Sequence, residues 1–298
     1  MLVFALFIHS SLQASTVATP TKGVLAAATV PTLAPVIQLS IVNSGGNAQL
    51  SWLDGFATFA HQVHRSTTPF FSPTSGTLLT TVNAGVNTFT DATSGIGNVG
   101  TNHFYLVTAN LSSGTFYSNW VGEIDYSLKN SNGAYSLIGI PFLSPSPNDA
   151  ASLATQIGNV STVLGWNRNT QSFRTFTPNT GNFTFSPGDA IFVQVLSGAP
   201  ASVNVVGRLD RAAIGLTAGG YNFITMPLHC DEVSDASSTA SDIGDVANLL
   251  SWIGNTQSFR VFTPPSTGNF SLPVGSPFIV ELGAGSPASW PTSNDACK

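Results

Sequence analysis

Apolar and polar residues alternate in short runs between residues 36 and 127, and turn-forming residues such as Gly, Asn and Ser separate the runs. An alternation with a period of two predicts strands that bury one face. Several short strands at regular spacing are typical of a β-sandwich. The predicted strands are 36–42, 48–52, 62–65, 87–91, 103–109 and 116–121.

The rest of the chain is an internal duplication, which becomes visible when residue 135 is placed on residue 221. The hexapeptide Asn-Thr-Gln-Ser-Phe-Arg then coincides with itself, because it occurs at 169–174 and again at 255–260. Self-similarity at a fixed offset is the signature of a repeated structural unit. The sequence therefore predicts two copies of one module.

Each copy is expected to contain one short helix between strands. In the first copy, apolar residues recur at helical spacing from 150 to 157 and stop before Gly158, and Ser146 or Asn148 can cap the helix. Asp149, which recurs as Asp235, stands in the first turn, where its carboxylate complements the helix dipole and can cap free N–H groups. The pattern then predicts strands at 163–166, 172–177, 190–195 and 202–206.

These patterns predict a mainly β fold, with a β-sandwich followed by two tandem β-rich modules that each hold one short helix. A length of 298 residues suits two or three domains. The boundaries that we expect are 1–14 for a signal peptide, 15–35 for an extended arm or linker, 36–127 for the sandwich, 133–209 for the first module and 216–298 for the second.

Four motifs make residues 36–127 resemble a fibronectin type III domain. They are Leu-Ser-Trp at 50–52, Val-His-Arg-Ser-Thr-Thr-Pro at 63–69, Phe-Tyr-Leu-Val-Thr-Ala at 104–109 and Ser-Asn at 118–119. The resemblance implies a spacer or adhesive domain. The duplicated module resembles a repeat in secreted multidomain proteins of environmental bacteria, which implies location and modularity but no activity.

The charged fraction is 8%, far below the usual share of about 25% for soluble domains. Ser, Thr and Asn must therefore supply the polar surface, and copies of the chain repel each other weakly at a net charge of -5. Only Lys22, Lys129 and Lys298 are lysines, so the chain has no basic surface for nucleic acid. This composition favours an extracellular protein that self-associates.

The first residues are apolar and end in small residues near Ala14, as in a secretory signal peptide, although no positive charge precedes them. This run is too short to cross a bilayer, so we do not expect a membrane-spanning protein. The arm that follows is either a linker or an apolar segment that adds a strand to a neighbouring subunit. The residues assigned to strand donation are Gly23, Val24, Leu25, Ala26 and Val30.

The two cysteines, Cys230 and Cys297, either pair in an oxidising compartment or remain thiols. No spacing of Cys and His indicates a metal site, and nothing indicates a cofactor. No nucleophile, base and carboxylate converge in the sequence pattern, so we predict no catalytic residues. His61, His64 and His103 are interpreted as imidazoles on strand surfaces.

Trp166 and Arg174 recur as Trp252 and Arg260, which makes them candidate ligand-binding residues. A Trp face beside a guanidinium is a platform for a sugar. The alternative is that each Trp fills a module core and each Arg stacks across a hairpin.

The sequence favours a secreted, non-catalytic structural protein: a subunit of an extracellular filament, sheath or cell-surface adhesin that assembles through β-strand contacts. The alternative is a carbohydrate-binding or spacer region of a larger secreted enzyme. The partners that we expect are other copies of the chain, with cell-surface or glycan contacts in addition.

Overall fold

Strands dominate the computed structural model, which describes residues 37–55, 58–96, 100–178, 180–265 and 267–291. The mainly β prediction is confirmed. The described residues belong to one compact unit. Its first strands are β1 (Ile37–Ser44), β2 (Asn47–Asp54), β3 (His61–Ser66), β4 (Thr77–Val82), β5 (Thr88–Asp91), β6 (Phe104–Leu111), β7 (Gly114–Tyr117) and β8 (Val121–Ser127).

Two sheets enclose the first core. The antiparallel sheet β1-β2-β5 supplies Leu50 and Trp52, and the sheet built on β3 and β6 supplies Val63, Tyr105 and Val107. All five side chains are buried. Buried and exposed residues alternate along β2, and its buried residues lie on the face that meets the other sheet.

The single strand predicted at 116–121 is two strands, β7 and β8, which both pair with β6 and are interrupted at Asn119 and Trp120. The Asn119 side chain accepts a hydrogen bond from Leu39 N at 2.9 Å and donates one to Leu39 O at 2.9 Å. The Asn119 amide therefore satisfies backbone groups of β1 that a neighbouring strand would otherwise bond. β4 was not predicted, since its partly exposed residues do not alternate strictly.

The two copies of the duplicated module contain their helices and strands in a similar order along the chain. The first contains β9 (Ala134–Ile140), β10 (Leu143–Ser146), α1 (Ala150–Ile157), β11 (Val160–Asn167), β12 (Ser172–Phe176), β13 (Asp189–Val195) and β14 (Ser202–Arg208). The second contains β15 (Ile214–Gly215), β16 (Tyr221–Thr225), α2 (Ala236–Ile243), β17 (Val246–Ile253), β18 (Ser258–Phe262), β19 (Pro277–Leu282) and β20 (Ser289–Trp290).

A capping box begins each helix. The N-cap of α1 is Asp149, and not Ser146 or Asn148 as predicted. The Asp149 side chain accepts from Ser152 N at 2.7 Å, and the Ser152 hydroxyl lies 3.2 Å from Asp149 N. Asp235 caps α2 in the same way. Of the three candidates before α1, Asp149 is the one with a serine three residues later in the sequence, and both bonds of the capping box form there.

The sheets cross the expected module boundaries. β14 of the first copy pairs with β8 along its whole length, from Ser202↔Ser127 to Arg208↔Val121. Strands of both copies form one eight-stranded sheet in the order β12-β11-β13-β16-β19-β17-β18, with β9 also paired to β13. The two copies are joined within this sheet by one residue pair, Asp189↔Ile224. The two copies therefore share a sheet and are not separate domains.

Candidate functional site

Trp166 and Trp252 lie at the junction between the two copies. Nε1 of Trp166 donates to the Tyr221 carbonyl oxygen at 2.8 Å, and Nε1 of Trp252 donates to the Tyr135 carbonyl oxygen at 2.9 Å. Tyr221 is the counterpart of Tyr135 in the duplication. Each Trp is thus bonded to the other copy, Trp166 to β16 and Trp252 to β9.

Two glutamines complete these contacts. Gln171 Oε1 accepts from Tyr221 N at 2.8 Å, and Gln257 Oε1 accepts from Tyr135 N at 2.7 Å. Their Nε2 atoms donate to the carbonyl oxygens of the same tyrosines at 3.2 and 2.9 Å. The contacts are reciprocal, because the Gln of each copy bonds the Tyr of the other, as subunits do in a two-fold symmetric dimer interface.

Aromatic rings fill the space between the copies on this face of the sheet. The Trp166 ring stacks on Phe223 with centroids 4.8 Å apart and planes at 24°. Trp252 meets Phe192 edge-on at 5.2 Å. The recurrence of both Trp residues is explained by packing between copies, because their rings and N–H groups are already occupied there.

The arginines lie on the opposite face of the same sheet. Trp166 pairs across the strands with Phe173, and the next pair along the hairpin is Gly165 with Arg174. Successive residues of a strand point to opposite faces, so Trp166 and Arg174 do not meet. The second copy has the same register around Arg260. The proposed Trp–Arg platform is therefore not formed.

Arg174 belongs to a partly buried charged cluster in the first copy. Arg168 Nη2 lies 2.8 Å from Asp189 Oδ1, and Arg174 Nη2 lies 3.9 Å from Asp189 Oδ2. The Arg174 guanidinium also lies 4.6 Å from the centre of the Phe183 ring. Burial raises the pKa of Asp189, and the two guanidinium groups oppose that rise. The cluster thus contains one carboxylate, that of Asp189, and two guanidinium groups.

The second copy lacks this cluster. Gly254 stands at the position of Arg168, and Ser276 at that of Asp189. The backbone N–H of Ser276 closes the same turn as that of Asp189, with an N–O distance of 3.0 Å in both copies. A pocket of about 410 Å³ lies beside these residues, and we call it the second-copy pocket. Its lining includes Tyr126, Lys129, Ser251, Gly254, Arg260 and Ser276.

A buried polar cluster that the sequence did not indicate joins β8 to β14. Nδ1 of His103 lies 2.9 Å from Oε1 of Glu123, which is 0% exposed. Nδ2 of Asn204 donates to Glu123 Oε2 at 3.1 Å and to Asp125 Oδ1 at 3.0 Å. The signal that could have found it is Glu-x-Asp on one strand, since that spacing places both carboxylates on the same face.

The amide of Asn204 determines what this cluster can do. Its Nδ2 donates to both carboxylates, so the protein itself supplies the donor between them. In the described ranges, no group of three His, Cys, Asp or Glu side chains is arranged to hold a metal ion. Burial raises the pKa of Glu123, and the hydrogen bond from His103 opposes that rise. The charge of the Glu123 carboxyl in this cluster therefore depends on pH.

Glu123 is expected to make folding less favourable as pH rises. Its folded-state pKa is raised, so between the ordinary value of about 4.3 and the raised value the folded state binds more protons than the unfolded state, and stability falls with rising pH. Relative to the wild type, Glu123→Gln should therefore gain up to about 1.4 kcal/mol per pH unit in that window. Urea unfolding of both proteins at pH 4, 5, 6 and 7 measures the difference.

The difference between the two proteins is the informative quantity, because other groups titrate nearby in pH. Burial lowers the pKa of His64, which makes stability rise with pH below about 6.5. That contribution is common to both proteins and cancels. A difference that stays constant from pH 4 to pH 7 would contradict the role assigned to Glu123.

The histidines near the first core are buried, so the prediction of strand-surface imidazoles is wrong. His61, His64 and His103 are 1%, 6% and 8% exposed. Nε2 of His61 lies 2.6 Å from a carboxylate oxygen of Asp54, and Nε2 of His64 lies 3.3 Å from the Thr108 hydroxyl. Polar partners within the sheets allow these imidazoles to occupy inward positions.

The remaining predicted residues fall partly outside the described ranges. Cys230 is fully buried in the core under α2, but Cys297 lies outside the described residues, so their pairing stays a prediction. The assembly arm also lies outside them, with Gly23, Val24, Leu25, Ala26 and Val30. Within the described part of the chain, neither helix has the length and apolar character needed to span a bilayer.

No family model matches the chain, and no curated protein matches it. Among solved structures it is similar to pectate lyase PelI from Erwinia chrysanthemi in complex with tetragalacturonic acid, at 24% identity over 29% of this chain, with a TM-score of 0.25. It is also similar to pectate lyase Pel3 from Pectobacterium carotovorum, at 21% identity over 34% of this chain, with a TM-score of 0.26. The chain spans 27% and 30% of the length of those two structures. Similarity at these TM-scores carries no argument about this protein.

Proposed function

We propose that this protein is a secreted, non-catalytic structural protein, a subunit of an extracellular filament, sheath or adhesin that assembles through β-strand contacts. Residues 36–127 form its fibronectin-III-like sandwich. The buried Trp52 and Tyr105 between two sheets support that assignment. The weakly charged surface supports assembly, because copies of the chain can approach each other without strong repulsion.

The observation that carries the proposal is the eight-stranded sheet, which ends in equivalent strands on both sides. β12 terminates one side and β18 the other, and their sequences are Ser-Phe-Arg-Thr-Phe and Ser-Phe-Arg-Val-Phe. A terminal strand presents unpaired N–H and C=O groups to another chain. Two such edges on one subunit allow growth in both directions, which a closed dimer does not.

Exposed apolar side chains lie on both terminal strands. Phe173 on β12 is 45% exposed, and Val261 on β18 is 43% exposed. Neither strand contains the lysine or proline that natural proteins use to block an edge, although each contains one arginine. The apolar arm at 15–35 is a second source of strands for these edges.

A lysine on one edge tests the proposal. Val261→Lys should abolish filaments or large oligomers, because a charged side chain on a terminal strand opposes pairing with another chain. Gln49→Lys is the matched control, since Gln49 is exposed on β2, the central strand of its sheet, and adds the same charge away from an edge. Sedimentation velocity and negative-stain microscopy provide the readout.

Three results would bear on the proposal. Assembly by the wild type and by Gln49→Lys, together with its loss in Val261→Lys, supports it. A wild type that remains monomeric at every accessible concentration overturns it. Assembly that persists in Val261→Lys but is lost when residues 17–34 are deleted would reject the sheet edge and retain the arm.

A further inference from the structure

We propose that the second-copy pocket binds the carboxylate of a sugar acid. The two copies differ in the residues that stand beside an arginine common to both. Both copies have an arginine on the same face of the sheet, Arg174 in the first and Arg260 in the second. Only in the first does the protein itself supply a carboxylate to that arginine, through Asp189.

Arg260 occupies the position equivalent to Arg174, but a serine stands where the first copy has Asp189. Its guanidinium lies 5.6 Å from the centre of the Phe270 ring, as that of Arg174 does over Phe183. Ser276 replaces the acidic residue, and the ion pairs found among the described residues include none to Arg260. The place of a carboxylate beside a guanidinium is thus open to a ligand.

The charge around the second-copy pocket favours an anion. Arg260 and Lys129 both line it, and none of its lining residues is Asp or Glu. Nζ of Lys129 is 3.4 Å from the Asn255 side-chain oxygen, which holds the ammonium group at the pocket. A planar guanidinium matches a carboxylate through two parallel hydrogen bonds, so Arg260 provides the geometric selectivity and Lys129 adds charge.

The remaining lining determines what the carboxylate is attached to. Five of its 16 lining residues are serines, and their hydroxyls can exchange hydrogen bonds with those of a sugar, while six apolar residues can contact the ring carbons. A volume of about 410 Å³ lies at the lower end of the range for small-molecule sites, which indicates a ligand of one or two sugar rings. The serines that supply the hydroxyls are Ser127, Ser136, Ser251, Ser271 and Ser276.

Isothermal titration of the full chain with glucuronate tests the proposal. Glucose is the neutral ligand with the same ring, and acetate is the carboxylate without the ring. We expect glucuronate to bind about ten-fold or more tightly than glucose, because a hydrogen bond to a charged group is worth at least that factor. Acetate should bind more weakly than glucuronate. Equal binding of glucose and glucuronate, or no heat from glucuronate at millimolar concentration, would overturn the proposal.

Two variants assign the binding to this pocket. Arg260→Gln should weaken glucuronate about ten-fold or more, since it removes the charged donor. Ser276→Asp should also abolish binding, because it restores the carboxylate that the first copy has, and this second variant keeps the test valid if Arg260→Gln is unstable. Arg208→Gln, at an exposed position on β14, removes one positive charge elsewhere and should bind as the wild type does. Unchanged affinity in Ser276→Asp would place any observed binding at another site.

Discussion

Trp166→Ala is expected to lower the free energy of unfolding by about 3–5 kcal/mol, the usual cost of removing a large buried aromatic side chain. The ring is 9% exposed and stacks on Phe223, a residue of the other copy. The variant also removes the indole N–H, which leaves Gln171 as the remaining side-chain donor to the Tyr221 carbonyl oxygen. Urea unfolding followed by circular dichroism measures the loss.

The shape of the transition is a second readout of the same variant. Because both copies share a sheet and exchange contacts at the junction, we expect one cooperative transition in the wild type and in Trp166→Ala. Trp166→Phe is the matched control: it keeps an aromatic ring, loses the hydrogen bond, and should cost about 1 kcal/mol plus a packing term. Two separate transitions, of which only one moves in Trp166→Ala, would contradict the interlocked arrangement.

Asp189→Asn is expected to lower the free energy of unfolding by about 2–4 kcal/mol, because it removes the counter-charge of a largely buried Arg168. Asn keeps the size of the side chain, so the loss reports charge and not volume. The control is Ser276→Ala at the equivalent position of the second copy, where no carboxylate is present, and it should change stability by less than about 1 kcal/mol. Thermal and urea unfolding of both variants provide the comparison.

A double variant distinguishes a lost attraction from an orphaned charge. Breaking one partner of a buried pair leaves the other uncompensated, and replacing both with apolar groups is often neutral. Asp189→Asn combined with Arg168→Met leaves neither charge of this pair and should recover part of the stability lost in Asp189→Asn alone. Equal stability of the double and single variants would mean that the Arg168 charge contributes nothing to the penalty.

The comparison of the two copies explains why the candidate site escaped sequence analysis. The duplication itself was evident, and it directed attention to residues that recur, such as Trp166 and Arg174. The pocket arises from residues that do not recur, since Gly254 and Ser276 replace a charged pair. Recurrence reports what both copies need in order to fold, whereas divergence between them opens a site.

Local periodicity determined most of the secondary structure. A strand with one buried face must alternate, and a short helix must repeat its apolar residues every three or four positions, so both signals are present in the chain itself. The mainly β class, the helix in each copy and most strand positions followed from these periods. The split between β7 and β8 did not, because a side-chain hydrogen bond to a distant strand leaves no period in the sequence.

What only the tertiary structure decided is which strands are neighbours and which faces meet. Strand pairing joins residues far apart in the chain, so β14 could lie beside β8, and the two copies could share one sheet, without any local mark. The same holds for side chains: Trp166 and Arg174 are close in sequence and lie on opposite faces, while Glu123 and Asn204 are far apart and form a hydrogen bond. The sequence by itself determined the elements and the duplication, and long-range pairing determined the sites, because hydrogen bonds between strands depend on position in space and not on separation along the chain.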